Sequence, residues 1–590
     1  VGFKLELEPA LDSLELTFAK QEKPRVSIVI PVYNEYRMTI FCLQSLLETT
    51  SGVDYEVILA DDASSDLTST IGERIHGLEI VRTDENLGFL NNCKNGASHA
   101  RGEYILFLNN DTAFTEGWLS HLVATLERDP KAGIAGPMLI FGSGRLQEAG
   151  GIIWQDASGW NFGRTDDPAS PEYNYVKETD YISGACLLIR RGLWEELGGF
   201  DQRFVPAYYE DTDLCFAVRA AGYKVIYQPA SRIYHYEGIS HGTDLNSGVK
   251  KHQVENKKKF LDKWAPTLQR ENFSNAQRVF LARDRSRNRR TVLVIDHYVP
   301  MYDMDAGSRS TWQYLELMVE MGYNVKFLGA NFYPHQPYTQ QLQSMGVEVL
   351  VGEKMARNCA TWLKENAQYI DAVYLHRPHI AEDFLSLLKD MNPRPKLIYF
   401  GHDLHFLREE REYAVTGDDT HRVAAEDWKQ RELAVFKDFD KIYYPSQVEV
   451  DLVAEIAPEV DASAIPLYLM ESSEIEPYIW QDRADILFVG GFNHSPNVDA
   501  ICWFVEEILP LVVAACPNIK LNVVGSKAPA SVQSLASKHV IIHGYLTDDE
   551  LAEQYRRTRV VAVPLRFGAG VKGKVLEALQ RGVPLVTTGI

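Results

Sequence analysis

The sequence predicts an α/β protein built from doubly wound parallel sheets. Short apolar runs rich in β-branched residues alternate with helical patterns, beginning near Arg25. The same rhythm restarts at Thr291 and again at Asp485. Parallel strands read as continuous apolar runs because helices cover both faces of their sheet. At roughly 100–200 residues per folding unit, a chain of 590 residues has room for about three or four such units.

The elements of the first region follow one another in regular order. Strands are predicted over Val26–Val32, Tyr55–Ala60, Leu78–Val81 and Tyr104–Leu108, and helices over Tyr36–Glu48, Leu67–Ile75 and the segment after Gly88. Residues 241–290 are charged, helical in pattern and poor in strands, which indicates a helical linker. We therefore expect a leader at 1–24, a first domain at 25–242, a linker at 243–290, and two facing Rossmann-like halves at 291–480 and 481–590, the last incomplete.

Composition excludes several classes of protein. The net charge of -21 disfavours a nucleic-acid binder, which needs clustered Lys and Arg. The basic runs Lys250–Lys259 and Arg283–Arg290 are read as solvated faces, with docking to an anionic membrane as the alternative. Seven scattered cysteines without a CxxC pair indicate a reducing compartment and neither disulfides nor zinc. No apolar run approaches 18 residues, so no transmembrane segment is expected. A start at Val1 and an end at Ile590 indicate a piece of a longer protein.

Polar residues follow the predicted strands of the first region. They are Pro31 to Glu35, the pair Asp61 and Asp62, and Asn109-Asn110-Asp111. Ligands of doubly wound sheets bind outside the carboxyl ends of the strands. A carboxylate beside amide oxygens suits a hard divalent cation that bridges two phosphates. Each stretch taken alone is also compatible with a turn or a helix cap.

Further along, three more features have both a structural and a functional interpretation. Asn86 and Gly88 open a helix, and Gly88 is equally compatible with a plain turn. Glu210 and Asp211 begin a helical segment, where carboxylates either cap the helix or supply a general base. His235 ends a β-like run and is either a structural histidine or a metal ligand.

Together these stretches resemble glycosyltransferase family 2, the inverting GT-A enzymes, and most closely its rhamnosyltransferase-like branch. The matching segments are Val26–Glu35, Asp61–Asp66, Asn86–Phe89, Arg101–Thr112, Ser183–Ala185, Leu197–Asp201 and Tyr209–Cys215. The resemblance implies a nucleotide-diphospho-sugar transferase fold. It also implies that Asp211, with Glu210 beside it, is the catalytic base and that inversion follows from a single displacement.

The resemblance also implies a donor site and a Mg²⁺ or Mn²⁺ ion. The implied donor-site residues are Pro31, Tyr33, Glu35, Asp61, Asp62, Asn86, Gly88, Lys94, Asn110 and Asp111. The implied metal ligands are Asn109, Asp111 and His235. Two departures matter. Asn109 replaces the first carboxylate of the DxD motif, which weakens the predicted metal site, and Lys94 stands where many members have Asn and could meet a phosphate directly.

Residues 291–590 resemble a GT-B glycosyltransferase of family 4, truncated at its C-terminus. The matching segments are Phe488–Asp499, Val563–Lys574, Glu577-Ala578 and Gly582–Thr587. A Gly-rich turn that opens a helix presents N–H groups to phosphate. The implied donor-side residues are Gly570, Lys572, Lys574 and Glu577, and the implied acceptor or phosphate-side residues are Gly307, Arg309, His402 and Asp403.

This second region departs from its family in two positions. Residues 491–496 lack the usual Arg and Lys, and Ala569 replaces the first glutamate of the paired-Glu motif. It is therefore either a second transferase, which we favour, or a degenerate glycan-binding module. A nucleotidyltransferase is disfavoured because no Gly-rich, Lys-containing loop follows the first strand.

The function expected from the sequence is glycosyl transfer in bacterial surface polysaccharide synthesis, such as O-antigen, capsule or S-layer glycan. The resemblance favours dTDP-rhamnose as donor and a glycan or lipid-linked oligosaccharide as acceptor. We expect a cytoplasmic location without nucleic-acid partners. The alternative is peripheral association with the inner face of the cytoplasmic membrane.

Overall fold

The computed structural model describes residues 9–236, 251–470 and 480–590 and divides into two compact units. The first unit holds the described residues up to Arg289 together with Leu342–Glu348, and the second holds Arg290–Gln341 and Val349–Ile590. Three features predicted from sequence lie outside the described residues: the first eight leader residues, the boundary at 242/243, and Lys250. Within the described ranges, no helix has both the length and the apolar character needed to cross a bilayer.

The first unit is built on a ten-stranded sheet. Its strands, with four in small accessory pairs, are β1 Leu16–Thr17, β2 Val26–Val32, β3 Tyr55–Asp61, β4 Ile75–His76, β5 Glu79–Arg82, β6 Tyr104–Leu108, β7 Thr112–Phe114, β8 Ala132–Ile140, β9 Leu146–Glu148, β10 Gly151–Ile153, β11 Gly159–Asn161, β12 Lys177–Glu178, β13 Cys186–Arg190 and β14 Lys224–His235. The main path runs β12-β14-β8-β13-β6-β2-β3-β5, with β7 on β14 and β9 on β8.

Helices cover both faces of this sheet. They are α1 Tyr36–Thr49, α2 Phe89–Ala97, α3 Trp118–Arg128, α4 Arg191–Leu197, α5 Glu210–Ala220, α6 Lys251–Glu271 and α7 Val279–Ala282. The period-two geometry of β2 sends Ile28 and Ile30 into one core and Val29 into the other. A strand buried on both faces favours apolar residues at every position, which is why β2 is apolar apart from the buried Ser27.

The sheet is mixed, which corrects the expectation of a wholly parallel one. Strands β2, β3, β5 and β6 are parallel, but β13 runs antiparallel to both β6 and β8. A continuous apolar run records burial on both faces but carries no information about strand direction. For that reason the direction of β13 was not readable from the sequence.

The strand order creates a switch point beside β2. The chain places β3 and β5 on one side of β2 and then crosses to β6 on the other side. Ligands of open α/β sheets bind in the crevice that forms where the order reverses. The ends of β2 and β6 therefore flank the expected ligand crevice, and these ends carry Pro31 to Glu35 and Asn109 to Asp111.

The described part of the predicted linker is helical and packs on the first unit. On α6, Asn256 Nδ2 donates to the carbonyls of Phe204, Ala207 and Tyr208 at 2.9–3.0 Å. Lys259 Nζ donates to the Arg203 carbonyl at 2.7 Å. Lys259 is exposed and holds a neighbouring loop through this one contact, and Lys258 beside it is exposed as well, in keeping with a solvated face.

The second unit contains two parallel sheets with the predicted Rossmann-like order. The first has β15 Thr291–Asp296, β16 Asn324–Gly329, β17 Glu348–Leu350, β18 Ala372–His376, β19 Lys396–Phe400, β20 Lys441–Tyr444 and β21 Ala462–Ala464, in the order β17-β16-β15-β18-β19-β20-β21. The second has β22 Ala484–Val489, β23 Leu521–Val524, β24 Val540–Gly544, β25 Thr558–Val563 and β26 Leu585–Thr587, in the order β24-β23-β22-β25-β26.

Twelve helices accompany these sheets within the described ranges. They are α8 Ala306–Glu320, α9 Tyr338–Ser344, α10 Glu353–Asn366, α11 Pro378–Lys389, α12 His405–Thr416, α13 Asp419–Phe436, α14 Gln447–Ile456, α15 Ser495–Trp503, α16 Leu509–Ala515, α17 Ala530–Gln533, α18 Asp548–Arg557 and α19 Gly573–Gln580. Each sheet has its own switch point, beside β15 and beside β22. All seven cysteines of the chain are free thiols, as the sequence predicts.

Candidate active sites

The loops after β2 and β3 are tied together at the switch point of the first unit. Asn34 Oδ1 accepts from the Ser65 backbone N–H at 2.8 Å, and the Asn34 N–H donates to Ser64 Oγ at 2.8 Å. Asn34 and Glu35 both have positive φ, at 59° and 61°, which turns the chain sharply into α1. The turn leaves Glu35 exposed, and Tyr33 is 52% exposed beside Pro31 at the end of β2.

The two aspartates after β3 are buried and organise neighbouring loops. Asp61 accepts from the Ser64 backbone N–H at 3.0 Å and pairs with Arg82. Asp62 accepts from the backbone N–H groups of Leu87 and Gly88 at 2.7 and 2.9 Å. Both carboxylates therefore fix the shape of the crevice, and a direct contact of either with the nucleoside stays a prediction.

The loop that opens α2 needs a glycine. Gly88 has φ of 79°, and a Cβ there would lie 3.2 Å from the Cβ of Pro206. Asn86 Oδ1 accepts from the Gly88 N–H at 3.1 Å. Lys94, one turn into α2, donates from Nζ to the carbonyls of Gly198 and Phe200 at 3.0 and 3.2 Å. Lys94 therefore holds a turn of the protein here, and its contact with a phosphate remains a prediction.

The Asn109-Asn110-Asp111 stretch meets the end of β14. Asn110 is buried and donates from Nδ2 to Thr39 Oγ1 at 2.9 Å, so it supports the loop. Residues 112–114 pair antiparallel with β14, which brings His235 beside Asp111. The distance from His235 Nε2 to Asp111 Oδ1 is 3.1 Å. Two residues 124 positions apart in sequence are thus brought together, and their role as metal ligands stays a prediction.

The Asp111–His235 pair fits two ligands of one divalent cation. Ligand bonds of about 2.0–2.2 Å at right angles place two ligand atoms about 3 Å apart, which matches the observed 3.1 Å. The other imidazole nitrogen, Nδ1, lies 3.1 Å from Gln147 Oε1. An amide oxygen only accepts hydrogen bonds, so Nδ1 carries a proton there and Nε2 faces Asp111. Gln147 is a site residue that sequence reasoning missed. Among the described residues, no contact of the Asn109 side chain makes it a third ligand beside Asp111 and His235.

The Glu210–Asp211 pair begins α5, directly after two tyrosines whose backbone conformation is strained. Tyr208 and Tyr209 both have φ of 73°, a left-handed conformation that costs about 1–3 kcal/mol per residue. Asp211 Oδ2 accepts from the Gly184 N–H at 2.9 Å, and Oδ1 accepts from the Thr212 N–H at 2.6 Å. Burial raises the pKa of Asp211, and these donors oppose the rise. Burial and then the Asp211 charge raise the pKa of Glu210 well above its usual range. The two N–H groups that donate to Asp211 therefore favour its charged form.

A third carboxyl group, Glu148, lies beside this pair and was missed by sequence reasoning. It ends β9 and is 1% exposed, and its Oε1 accepts from the Ser183 N–H at 3.3 Å. Its Oε2 has no hydrogen-bond partner among the described residues. Burial and then the neighbouring Asp211 charge raise the pKa of Glu148 to about 8. A glutamate between Gln147 and Ala149-Gly150 carries no recognisable signal in the sequence.

In the second unit the predicted donor-side residues gather around the loop before α19. Gly570, with φ of 71°, donates its N–H to Glu449 Oε1 at 3.0 Å. The Leu404 N–H donates to the same oxygen at 2.9 Å, so the buried Glu449 joins two loops of the cleft. Burial raises the pKa of Glu449 to about 7. Glu449 lies inside the ordinary-looking helix α14, and sequence reasoning missed it.

Two lysines of this loop are held in a desolvated environment. Lys572 Nζ donates to the Ala569 carbonyl, and Lys574 Nζ donates to Asn497 Oδ1, both at 2.6 Å. Burial lowers the pKa of Lys572 to about 8 and that of Lys574 to about 7. An ammonium without a carboxylate partner gains most from a bound anion. This arrangement suits a diphosphate.

The acceptor-side residues meet the donor-side residues across the cleft. Arg309 NH1 pairs with Glu577 Oε1 at 2.8 Å, and Tyr555 donates to Glu577 Oε2 at 3.2 Å. A Cβ on Gly570 would lie 2.8 Å from the His402 carbonyl. Both predicted sets therefore converge, although Glu577 is occupied by Arg309 instead of standing free for a ribose.

The remaining acceptor-side residues lie along the same wall of the cleft. A Cβ on Gly307 would lie 3.4 Å from His402 Cε1 and 3.0 Å from Arg377 NH2, so glycine permits a close approach. Asp403 Oδ2 accepts from Arg408 NH1 at 2.6 Å. On this wall, His402 therefore lies between Gly307 and Asp403, and Asp403 is paired with Arg408.

Two groups of described residues have the spacing of a metal site, Asp296–His376–His402 and Glu409–Glu412–His421. In the first, His376 Nδ1 lies 3.2 Å from His402 Nε2, and Arg377 donates to Asp296 at 2.8 Å. The outer nitrogens of both histidines lack partners among the described residues. Metal-bound histidines almost always donate their outer N–H to a partner, so this group fits a metal poorly.

A hydrogen-bonded histidine pair explains the same contacts. Burial lowers the pKa of His376 to about 4 and that of His402 well below its usual range, so both rings are neutral. Whichever ring donates across the 3.2 Å contact, the accepting ring keeps its own proton on the outer nitrogen. His376 is fully buried and His402 is partly exposed. The outer N–H therefore lies in a buried position without a partner among the described residues, whichever ring carries it.

Comparison with known protein families gives two matches. The model of glycosyl transferase family 2 matches residues 27–198, and the model of glycosyl transferases group 1 matches residues 483–590. The first covers the loops that carry Asp62, Gly88 and Asp111. The second covers the loop that carries Lys574.

Curated relatives match part of the chain. The O-antigen biosynthesis protein RfbC of Myxococcus xanthus is 30% identical over 247 residues, which cover 40% of this chain and 19% of that protein. The N-acetylglucosaminyl-diphospho-decaprenol L-rhamnosyltransferase of Mycobacterium tuberculosis is 26% identical over 223 residues, covering 33% of this chain and 71% of that protein. The chain thus spans about a fifth of the length of the Myxococcus protein.

Among solved structures, the crystal structure of GalNAc-T7 with UDP, GalNAc and Mn²⁺ is similar to this chain with a TM-score of 0.35 and 17% identity. The similarity covers 44% of this chain and 54% of that chain.

Proposed function

The chain carries a glycosyltransferase family 2 domain and a glycosyl transferases group 1 domain, and from that premise we propose that it transfers a sugar from a nucleotide-diphosphate donor to a glycan or lipid-linked acceptor. The observation that carries the proposal is the 3.1 Å contact between Asp111 and His235 at the switch point of the first unit. A carboxylate and an imidazole at that distance suit a cation that binds a diphosphate.

The proposed mechanism in the first unit begins with proton removal by Asp211. Its carboxylate is aligned by the Gly184 and Thr212 N–H groups, so its direction is fixed before substrate binds. The acceptor hydroxyl transfers its proton to Asp211, and its oxygen attacks the anomeric carbon opposite the departing nucleoside diphosphate. A single attack of this kind inverts the anomeric centre. General-base assistance contributes about 10²–10⁴-fold to the rate.

Departure of the diphosphate is assigned to the Asp111 side of the crevice. Asp111 and His235 would hold a Mg²⁺ or Mn²⁺ ion, whose chemistry is to neutralise charge on the leaving group. Gln147 Oε1 accepts a hydrogen bond from His235 Nδ1–H and so leaves Nε2 facing Asp111, where the ion would bind. Asn109 contributes no charge, so the site relies on one protein carboxylate.

The first experiment is transfer or hydrolysis with a panel of nucleotide sugars on the full chain. Asp211→Asn is expected to lower the rate at least 100-fold while leaving donor binding intact, because the amide has the size of the carboxylate and keeps one acceptor oxygen but cannot take a proton. Asp262→Asn, on the exposed face of α6, is the matched control and should retain the full rate. Full activity of Asp211→Asn would reject Asp211 as the base.

For the second unit we propose a second transferase. The desolvated Lys572 and Lys574 support a donor site, because two lysines without a carboxylate partner suit a diphosphate. A glycan-binding module without activity is the alternative, favoured by Glu577 being paired with Arg309. Transfer that survives Asp211→Asn and disappears in Lys574→Met supports a second transferase; no residual transfer with any donor supports the binding module.

The donor, acceptor and location are narrower proposals. A relative named as a rhamnosyltransferase supports a deoxyhexose donor such as dTDP-rhamnose, and one named for O-antigen biosynthesis supports a surface polysaccharide product. We place the reaction in the cytoplasm, at the inner face of the membrane when the acceptor is lipid-linked. Thermal-shift screening with UDP-, dTDP- and GDP-sugars, each with and without Mn²⁺, tests the donor and the metal together. A larger shift with a UDP- or GDP-sugar than with dTDP-rhamnose would reject the proposed donor.

A further inference from the structure

A polar cavity of about 260 Å³ lies in the first unit, away from the crevice at the switch point. It forms where the end of α6 and the segment around α7 meet β10 and the Asp180 loop. Its lining residues are Ile153, Asp180, Arg270, Glu271, Asn272, Phe273, Leu281, Ala282, Arg285, Arg287 and Asn288. Arg219 and Asp211 lie on the same helix, eight residues and therefore about 12 Å apart. Since Arg219 pairs with Asp180, the cavity is a separate place from the proposed active site.

The charges around this cavity leave an excess of arginine. Two carboxylates, Asp180 and Glu271, are shared by the guanidinium groups of Arg219 and Arg285. Burial and then the neighbouring Arg285 lower the pKa of Arg219, while Asp180 and Glu271 oppose the shift. Arg270, which also contacts Glu271, and Arg287 add two more positive charges at the rim. An anion that enters this cavity therefore meets a net positive field.

A buried amide in the cavity wall has an unused acceptor. Asn272 is 4% exposed, and its Nδ2 donates to the Ile153 carbonyl at 2.7 Å and to Asp180 Oδ2 at 3.1 Å. Both of these partners are acceptors, which fixes the orientation of the amide. Its Oδ1 has no hydrogen-bond partner among the described residues. A buried acceptor without a donor costs about 1–3 kcal/mol, and a ligand hydroxyl would remove that cost.

The contacts of Arg287 hold its guanidinium N–H donors at the rim of the cavity. Its NH1 donates to the Asn272 carbonyl at 2.7 Å, and its guanidinium lies 4.9 Å from the centre of the Phe273 ring. These two contacts orient the guanidinium plane while using one of its five N–H groups. A fixed guanidinium with further N–H groups is well suited to the bidentate recognition of phosphate.

We propose that this cavity binds a sugar phosphate. The phosphate accepts from Arg287 and Arg270, and a sugar hydroxyl donates to Asn272 Oδ1. The volume lies just below the range of about 300–1,000 Å³ that is usual for ligand pockets, which suits a monosaccharide phosphate better than a whole nucleotide sugar. A bound phosphate would also attract Arg219 and Arg285, the two arginines that share Asp180 and Glu271. Arg219 lies at the C-terminal end of α5.

The test is isothermal titration of the full chain with glucose 1-phosphate, inorganic phosphate and glucose. Glucose 1-phosphate should bind most tightly, inorganic phosphate at least fivefold more weakly, and glucose not measurably. Arg287→Gln should weaken glucose 1-phosphate binding about tenfold, and Arg287→Glu should abolish it. Arg145→Glu, an exposed arginine outside the lining, makes the same charge change and should bind like the parent chain.

Two outcomes would overturn the proposal. Binding that persists in Arg287→Glu would place the phosphate elsewhere, including in the donor crevice. Equal affinity for glucose 1-phosphate and inorganic phosphate would reject the role of Asn272. Because the Arg287 side chain is at the rim and exposed, circular dichroism of both variants should match the parent chain, so loss of binding is separable from loss of fold.

Discussion

Glu148→Gln is expected to stabilise the first unit at neutral pH. Glu148 is 1% exposed, one of its oxygens lacks a partner among the described residues, and burial raises its pKa to about 8. The folded chain therefore holds a proton on Glu148 that the unfolded chain releases above its ordinary pKa of 4.5. The contribution of Glu148 to stability is therefore complete below pH 4.5 and is lost as the pH rises from 4.5 to about 8.

The magnitude at pH 7 follows from that window. Each pKa unit corresponds to about 1.4 kcal/mol, so 2.5 units between 4.5 and 7 cost about 3.5 kcal/mol of unfolding free energy. Glutamine has the same shape, keeps an acceptor for the Ser183 N–H and has no proton to lose. The variant should therefore escape this cost. For a unit of this size, about 3.5 kcal/mol corresponds to a rise in Tm of roughly 6 °C.

The assay is thermal unfolding of the full chain with EDTA present, measured from pH 4.5 to pH 8. The Tm of Glu148→Gln should match the parent chain at pH 4.5 and exceed it increasingly toward pH 8. Glu116→Gln, an exposed glutamate, is the matched control and should show no such divergence. A difference in Tm that is independent of pH would refute the assignment of a proton to Glu148.

Three further predictions concern single side chains. Gly88→Ala forces a left-handed conformation on alanine and should lower the free energy of unfolding by about 1–2 kcal/mol in thermal unfolding. Gly192→Ala, on a helix with open space around the glycine, is the control and should be neutral or stabilising. Equal effects of the two substitutions would contradict the argument. Nucleoside diphosphate binding to the second unit should weaken as the pH rises through about 7, where Lys574 loses its proton, and Lys574→Met should remove that slope in calorimetry. Gln147→Leu should weaken Mn²⁺ binding about 10–100-fold, because His235 loses the acceptor that fixes its tautomer; unchanged affinity would exclude His235 as a ligand.

Much of the fold was predictable because apolar runs report burial directly. The strand at Tyr104–Leu108 was predicted with the bounds that the structure has, and so was Leu585–Thr587. The helix predicted at Leu67–Ile75 is instead a 3₁₀ segment at Leu67–Glu73, because Asp66 caps a short turn there. Propensity does not separate these two kinds of helix over one or two turns.

The residues that surround the motif residues of each site were less predictable than the motif residues themselves. Asp111 and Asp211 were identified through the order of motifs along the chain, but Glu148, Gln147 and Glu449 were not. A buried glutamate and a surface glutamate look alike in sequence, since only packing decides which one loses water.

The sequence by itself determined the α/β class, the restart of the second region at Thr291 and the residues that line the strand ends. Those features depend on local periodicity and on motif spacing, which are properties of one stretch of chain. Tertiary structure decided the antiparallel direction of β13, the meeting of His235 with Asp111 and the burial of Glu148. Each of these depends on chain segments distant in sequence that approach within a few ångströms, and no local pattern encodes such an approach.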